Sequence, residues 1–283
     1  MKVLITGAKG QLGWEIAYEL SKDHCVFGLG REELDIRSNE AIGYYMQYIQ
    51  PDIVINCASF THVDGCERNK KLAMDVNAYG AKNLATICQR MDILLIHIST
   101  DYIFSGENRI PYEELDSPKP MNAYGYSKWL GEEYVRSICS RYYILRTSWL
   151  FGTHGQNFVK KIICQIPYRD TLHVVKDQIG SPTYTKDFIN MLRGVITSNQ
   201  YGIYHIANRG SCSRYEFAQT IMMYLKGETP KVLPIQSEEI PMAAIRPKYS
   251  ALSSTKAQLL CGRIMPTWQK ALKRFMDTEM MCP

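Results

Sequence analysis

The chain has 283 residues, close to half of them apolar, enough for one large α/β domain or for a core domain with a smaller lobe. Its net charge of +5 is small for that length and its Lys and Arg are dispersed, which excludes a nucleic-acid tract and leaves a small phosphorylated ligand or plain solvated charge. Nine cysteines without a Cys-x-x-Cys pair or zinc spacing, no apolar run near the about 18 residues that span a bilayer, and no signal-peptide pattern together predict a reduced, cytoplasmic protein with no membrane partner.

In chain order, short aliphatic runs alternate with helical patterns. Val3-Leu-Ile5 precedes Gln11 to Leu20; Cys25 to Gly28 precedes Ser38 to Tyr48; Asp52 to Asn56 precedes Cys66 to Gln89. Ile93 to Ile98 reads as a buried fourth strand, Tyr124 to Cys139 as a helix and Tyr142 to Leu145 as a strand. The alternation predicts a Rossmann-type, doubly wound parallel sheet over 1–148. From Trp149 on, Gly and Pro break the rhythm, so 149–283 reads mainly as a smaller C-terminal, substrate-binding lobe. Segments near 172–206, including a helix from Thr185 to Ile196 and a strand from Gly202 to Ile206, are expected to return to the first domain.

The loop after the first strand is Thr6-Gly-Ala-Lys-Gly-Gln-Leu-Gly13, opening into a helix. Gly7, Gly10 and Gly13, with Gln11 and Leu12 between them, permit a tight turn and close approach of a pyrophosphate to the helix N-terminus. After the second strand stands Gly28-Leu-Gly-Arg31, with no acidic residue at Gly30 for a ribose hydroxyl. Arg31 suits a 2′-phosphate, so NADPH is the expected cofactor and NADH the alternative; as a bare turn residue Arg31 would carry no preference. Asp35 and Ile36 are placed near an adenine, and Asn56 and Ala58, at the end of the third strand, beside the cofactor.

The fourth strand ends in Ser99-Thr100-Asp101-Tyr102, and the following helix carries Tyr124 and, four residues on, Lys128. Residues four apart share a helix face, so the Lys128 ammonium is expected beneath the Tyr124 phenol, favouring its ionisation. With the Thr100 hydroxyl beside it, such a phenol protonates a carbonyl oxygen as it becomes an alkoxide. Thr100, Tyr124 and Lys128 form the expected catalytic group, with Tyr124 and Lys128 also touching the cofactor. Singly, each has a plainer reading as a packing pair or a strand cap.

These residues, together with Glu33-Leu-Asp-Ile36, Val63-Asp64, Asp177 to Thr183 and Arg246-Pro247, carry a resemblance. The chain resembles the extended short-chain dehydrogenases/reductases, and within them the dTDP-4-dehydrorhamnose reductase family, over nearly its whole length. The resemblance implies reduction of a dTDP-linked 4-keto-6-deoxy sugar, with Thr100, Tyr102, Trp149, Asn157, Thr183 and Arg246 lining the substrate site. Monomer and homodimer both stay open. Some members hold Mg2+ through interface glutamates, of which Glu15 matches the first; otherwise Glu15 is an ordinary helix carboxylate. Phe60 departs from the family's usual Tyr. Two other functions stay open: a sugar-nucleotide dehydratase or epimerase, disfavoured by Tyr102 standing where a dehydratase has Glu, and a non-catalytic subunit resembling the methionine adenosyltransferase β subunit.

Overall fold

A computed structural model describes residues 1–225 and 230–279. Residues 226–229 and 280–283 of the expected second lobe lie outside the described residues. β1 (Lys2–Thr6) leads into α1 (Gln11–Leu20) and β2 (Cys25–Leu29) into α2 (Asn39–Ile49). β3 (Ile53–Asn56) precedes α3 (Val63–Arg68), α4 (Lys70–Ala73), a π-helical turn (Met74–Tyr79) and α5 (Gly80–Arg90). β4 (Leu94–Thr100), α6 (Ala123–Ile138) and β5 (Tyr142–Thr147) follow. The second half runs β6 (Leu150–Phe151), α7 (Phe158–Gln165), β7 (Thr171–Val175), β8 (Ile179–Gly180), β9 (Thr183–Tyr184), α8 (Thr185–Thr197) and β10 (Gly202–His205). It ends with β11 (Cys212–Ser213), α9 (Arg214–Tyr224), β12 (Lys231–Ile235), α10 (Thr255–Cys261) and α11 (Trp268–Glu279).

The main sheet has the order β10-β5-β4-β3-β1-β2, with every neighbouring pair parallel. Its strands are apolar on both faces because helices cover both. Val3, Ile5, Ile53, Ile55, Leu94 and Ile96 pack under α1 and α8, while the alternate residues Leu4, Val54, Leu95 and Ile144 pack under α2, α5 and α6. Phe151, Tyr184, Phe217, Trp268 and Phe275 build a separate core in the second half. β2 and β3 lie on opposite sides of β1, so the strand order reverses there, and a crevice opens at the carboxyl ends of β1 and β3.

One element differs from the sequence reading. The stretch from Cys66 to Gln89 is not one α-helix; it breaks at Asn69, whose side chain accepts from the Leu72 amide, and widens into the π turn. That turn delivers Asn77 to the interior, where its amide donates to the Phe60 carbonyl and the Ser127 hydroxyl and accepts from the Phe60 amide and the Ser59 hydroxyl. A fully bonded buried amide offsets the poorer π geometry. The eight described cysteines are all free thiols, four of them buried. No described helix is long and apolar enough to cross a membrane.

Candidate active site

Gly7 turns the chain at φ +66°, and a Cβ on it would lie 2.6 Å from the Ala58 amide nitrogen, so the loops after β1 and β3 touch. A Cβ on Gly13 would fall 2.4 Å from the Gly7 carbonyl, which is why α1 tucks against the turn only with glycine there. Most helices here start from a side-chain cap: Ser38, Asn122, Asn157 and Ser213 each accept an amide of the first turn. α1 starts from Gly10, with no side-chain cap and no acidic residue in its first turn, which leaves a bare positive helix end. Gln11 adds a buried Nε2 without a protein partner among the described residues.

These residues line one wall of a cleft of about 750 Å³, which also holds Arg31, Asp35, Ile36, Ala58, Thr100, Tyr124, Lys128 and Trp149. A side-chain-free cradle, a bare helix N-terminus and an orphaned amide donor at a topological switch point fit a dinucleotide pyrophosphate. At the far end Arg31 is exposed, with its Nε 4.0 Å from Asp35. Arg37 holds the Asp35 carboxyl below its ordinary range, so Asp35 is already paired. Lys9, which the sequence reading passed over although it sits within the glycine loop, lines the same wall with its Nζ 2.7 Å from Glu33. Asn56 does not border the cleft. It is buried beneath it, its Oδ1 accepting from the Thr6 hydroxyl at 2.7 Å and the Ala58 amide at 3.2 Å.

On the opposite wall, Thr100 closes β4 and Tyr124 lies in the first turn of α6. Asn122 caps that helix through the Gly125 amide and donates to the Ile245 carbonyl, tying α6 to the second half of the chain. The Thr100 hydroxyl donates to Asp101 Oδ1 at 3.0 Å and lies beside the Tyr124 phenol, whose ionisation it favours. Burial raises the Asp101 carboxyl to about 6, against hydrogen bonds from Ser250 and Thr100 that favour its charge. Burial also pushes the Tyr124 phenol well above its ordinary 10, while the Thr100 hydrogen bond pulls it down. Burial thus dominates the phenol, against the acidification expected from Lys128; burial also lowers the Lys128 ammonium, to about 8, against the charge of Glu132. Its Nζ donates to the Ile98 carbonyl at 2.6 Å.

The expected substrate residues fall into two groups. Trp149 lines the cleft at φ +46°, held in that strained conformation between Gly180, where a Cβ would fall 2.5 Å from its ring, and the Arg214 guanidinium 3.5 Å from its ring centroid. Tyr102 packs edge-on to Tyr124 at 5.7 Å, and the Arg214 and Arg246 charges act on its phenol. Arg246 does not line the cleft; it forks onto Asp64 at 2.8 and 2.7 Å. Asn157 and Thr183 lie behind the wall, the first capping α7 and bonding the Gly152 carbonyl, the second bonding the Ser181 carbonyl. Glu15 is buried and accepts from Thr185 and the His154 amide. Among the described residues no group of three His, Cys, Asp or Glu could hold a metal ion. Arg214, half-buried at the start of α9, escaped the sequence reading. Its signal was an Arg inside the Ser213-to-Glu216 capping box, opposing the helix dipole.

A family model described as the RmlD substrate binding domain matches residues 1–281. The chain belongs to the dTDP-4-dehydrorhamnose reductase family. It is 40% identical to the spore coat polysaccharide biosynthesis protein SpsK of Bacillus subtilis over 98% of this chain and 97% of that protein. It is 36% identical to a dTDP-4-dehydrorhamnose reductase of Aggregatibacter actinomycetemcomitans over 96% and 97% of the two chains. The crystal structure of the Bacillus anthracis dTDP-4-dehydrorhamnose reductase in complex with NADP superposes with a TM-score of 0.95 at 41% identity, covering 98% of this chain and 99% of that one. Membership of this reductase family accounts for the parallel sheet and its cleft in one architecture.

Proposed function

We propose that the chain reduces the 4-keto group of a dTDP-linked 4-keto-6-deoxy sugar, dTDP-4-dehydrorhamnose, at the expense of NADPH. The observation that carries the reading is one cleft in which Thr100, Tyr124 and Lys128 face a side-chain-free turn at the N-terminus of α1. Gly7, Gly10, Gln11 and Gly13 would hold the pyrophosphate, Arg31 with Lys9 the 2′-phosphate, and Asp35 and Ile36 the adenosine end. Bound NADPH supplies the hydride. Tyr124, kept protonated by burial, gives its proton to the ketone oxygen; a high phenol pKa is the right state for a donor in the reductive direction. Thr100 turns its hydroxyl from Asp101 toward the same oxygen and stabilises the developing charge. Trp149 walls the sugar, and Arg214 sets a half-buried cation beside it.

The test is stoichiometric oxidation of NADPH by purified protein given the dTDP-linked keto sugar. An epimerase or dehydratase would return the cofactor unchanged, and a regulatory subunit would bind it without turnover.

A further inference from the structure

Beneath the cleft floor runs a buried chain of hydrogen bonds that the reaction as written does not use. Thr6 Oγ1 donates to Asn56 Oδ1, Asn56 Nδ2 lies 3.0 Å from His97 Nδ1, and His97 Nε2 lies 3.4 Å from Lys128 Nζ. The orientation of each group follows from the one before. The Ala58 backbone amide can only donate, so it fixes the oxygen of Asn56 toward itself and the NH2 toward His97. His97 Nδ1 must then accept, and the single proton of the neutral imidazole sits on Nε2, pointing at Lys128. His97 is neutral because burial and the neighbouring lysine hold its pKa well below 6.5.

An N–H aimed at an ammonium is two donors facing each other; aimed at an amine, it is a hydrogen bond. We propose that the Asn56–His97 pair sets the proton occupancy of Lys128, His97 being a positioning residue that works through the lysine and touches neither substrate nor cofactor. In the reaction proposed above, on which this inference rests, Tyr124 gives its proton to the substrate oxygen and becomes a phenolate. A proton returned to that phenolate by way of the Lys128 ammonium leaves an amine that accepts from His97 Nε2–H, still donates to the Ile98 carbonyl, and takes a proton from solvent before the next turnover. The wiring therefore favours release of the proton to the phenolate in each turnover. The other titratable groups packed around Lys128 do not provide this: the Cys57 thiol is pushed up to about 12 and stays neutral, and Glu132 is spent on Arg146, which it binds through both oxygens. Both would raise the lysine rather than lower it.

Two measurements test the pair. Imidazole 15N shifts of histidine-labelled wild type should report His97 as the Nε2–H tautomer; an Nδ1–H tautomer overturns the proposal without any variant. In Asn56→Asp, the carboxylate still accepts from Thr6 and Ala58 but also accepts from Nδ1–H, which turns Nε2 into an acceptor facing Lys128. The alkaline limb of turnover, expected near pH 8 in the wild type, should move up by about one pH unit or more in this variant. A limb that stays put while the tautomer has switched overturns the proposal; a purely structural role would lower the melting temperature and leave the limb in place. Failure of the proposed reaction itself would show separately, as absent wild-type turnover at every pH.

Discussion

Tyr124 and Lys128 share one helix face, yet burial moves both away from charge: the phenol rises and the ammonium falls to about 8. In the proposed reaction, Tyr124 holds the proton that goes to the ketone oxygen. Tyr124→Phe should lower turnover by about 10²-fold or more with NADPH affinity retained, checked by steady-state kinetics beside a cofactor titration; near-normal turnover would remove Tyr124 from the mechanism. Lys128 also costs stability. Its folded pKa lies below the ordinary 10.5, so at pH 7 the fold must bury an ammonium, and that penalty fades as pH rises from about 8 toward 10.5. Lys128→Met should therefore abolish turnover while raising stability at pH 7 by about 1–3 kcal/mol, with a gain that shrinks by pH 10, as read from urea midpoints. A variant less stable than wild type at pH 7 would contradict the sign.

Among the elements, the β1 turn into α1 was legible because its signal is local: a strand, a glycine turn and a helix start lie within a dozen residues. Gly13→Ala tests it. The added methyl meets the Gly7 carbonyl at 2.4 Å, so the turn and α1 must separate; the melting temperature should drop by several degrees and NADPH affinity at least tenfold, about 1.4 kcal/mol. Full affinity in Gly13→Ala would mean the turn does not hold the pyrophosphate. The π turn was not legible, because its cause, the four hydrogen bonds of Asn77, comes from Phe60, Ser59 and Ser127, far away in sequence. Arg214 was hidden for the same reason, its partners Tyr102 and Trp149 being brought to it by folding. His97 reads as one polar residue in an apolar strand, and only its contact with Lys128 gives it meaning. The resemblance put Arg246 and Asn157 at the substrate site, whereas in the fold Arg246 forks onto Asp64 and Asn157 caps α7, partners that spacing along the chain does not reveal.

For the whole molecule, the cleft is closed by pieces from both halves of the chain: the walls from β1, β4 and α6, the end from Trp149 and Gly155. Ligand held there stabilises the folded state by mass action, about 2.7 kcal/mol at a hundred times the dissociation constant. NADPH should raise the melting temperature more than NADH at equal concentration, and Arg31→Ala should shrink that difference; an unchanged gap would place the reading of the 2′-phosphate elsewhere, Lys9 being the nearest alternative cation. The most direct measurement is the NADPH absorbance of purified protein mixed with dTDP-4-dehydrorhamnose. The account predicts one NADPH consumed for each sugar reduced at C4, and constant absorbance with conversion or mere retention of the sugar would contradict it.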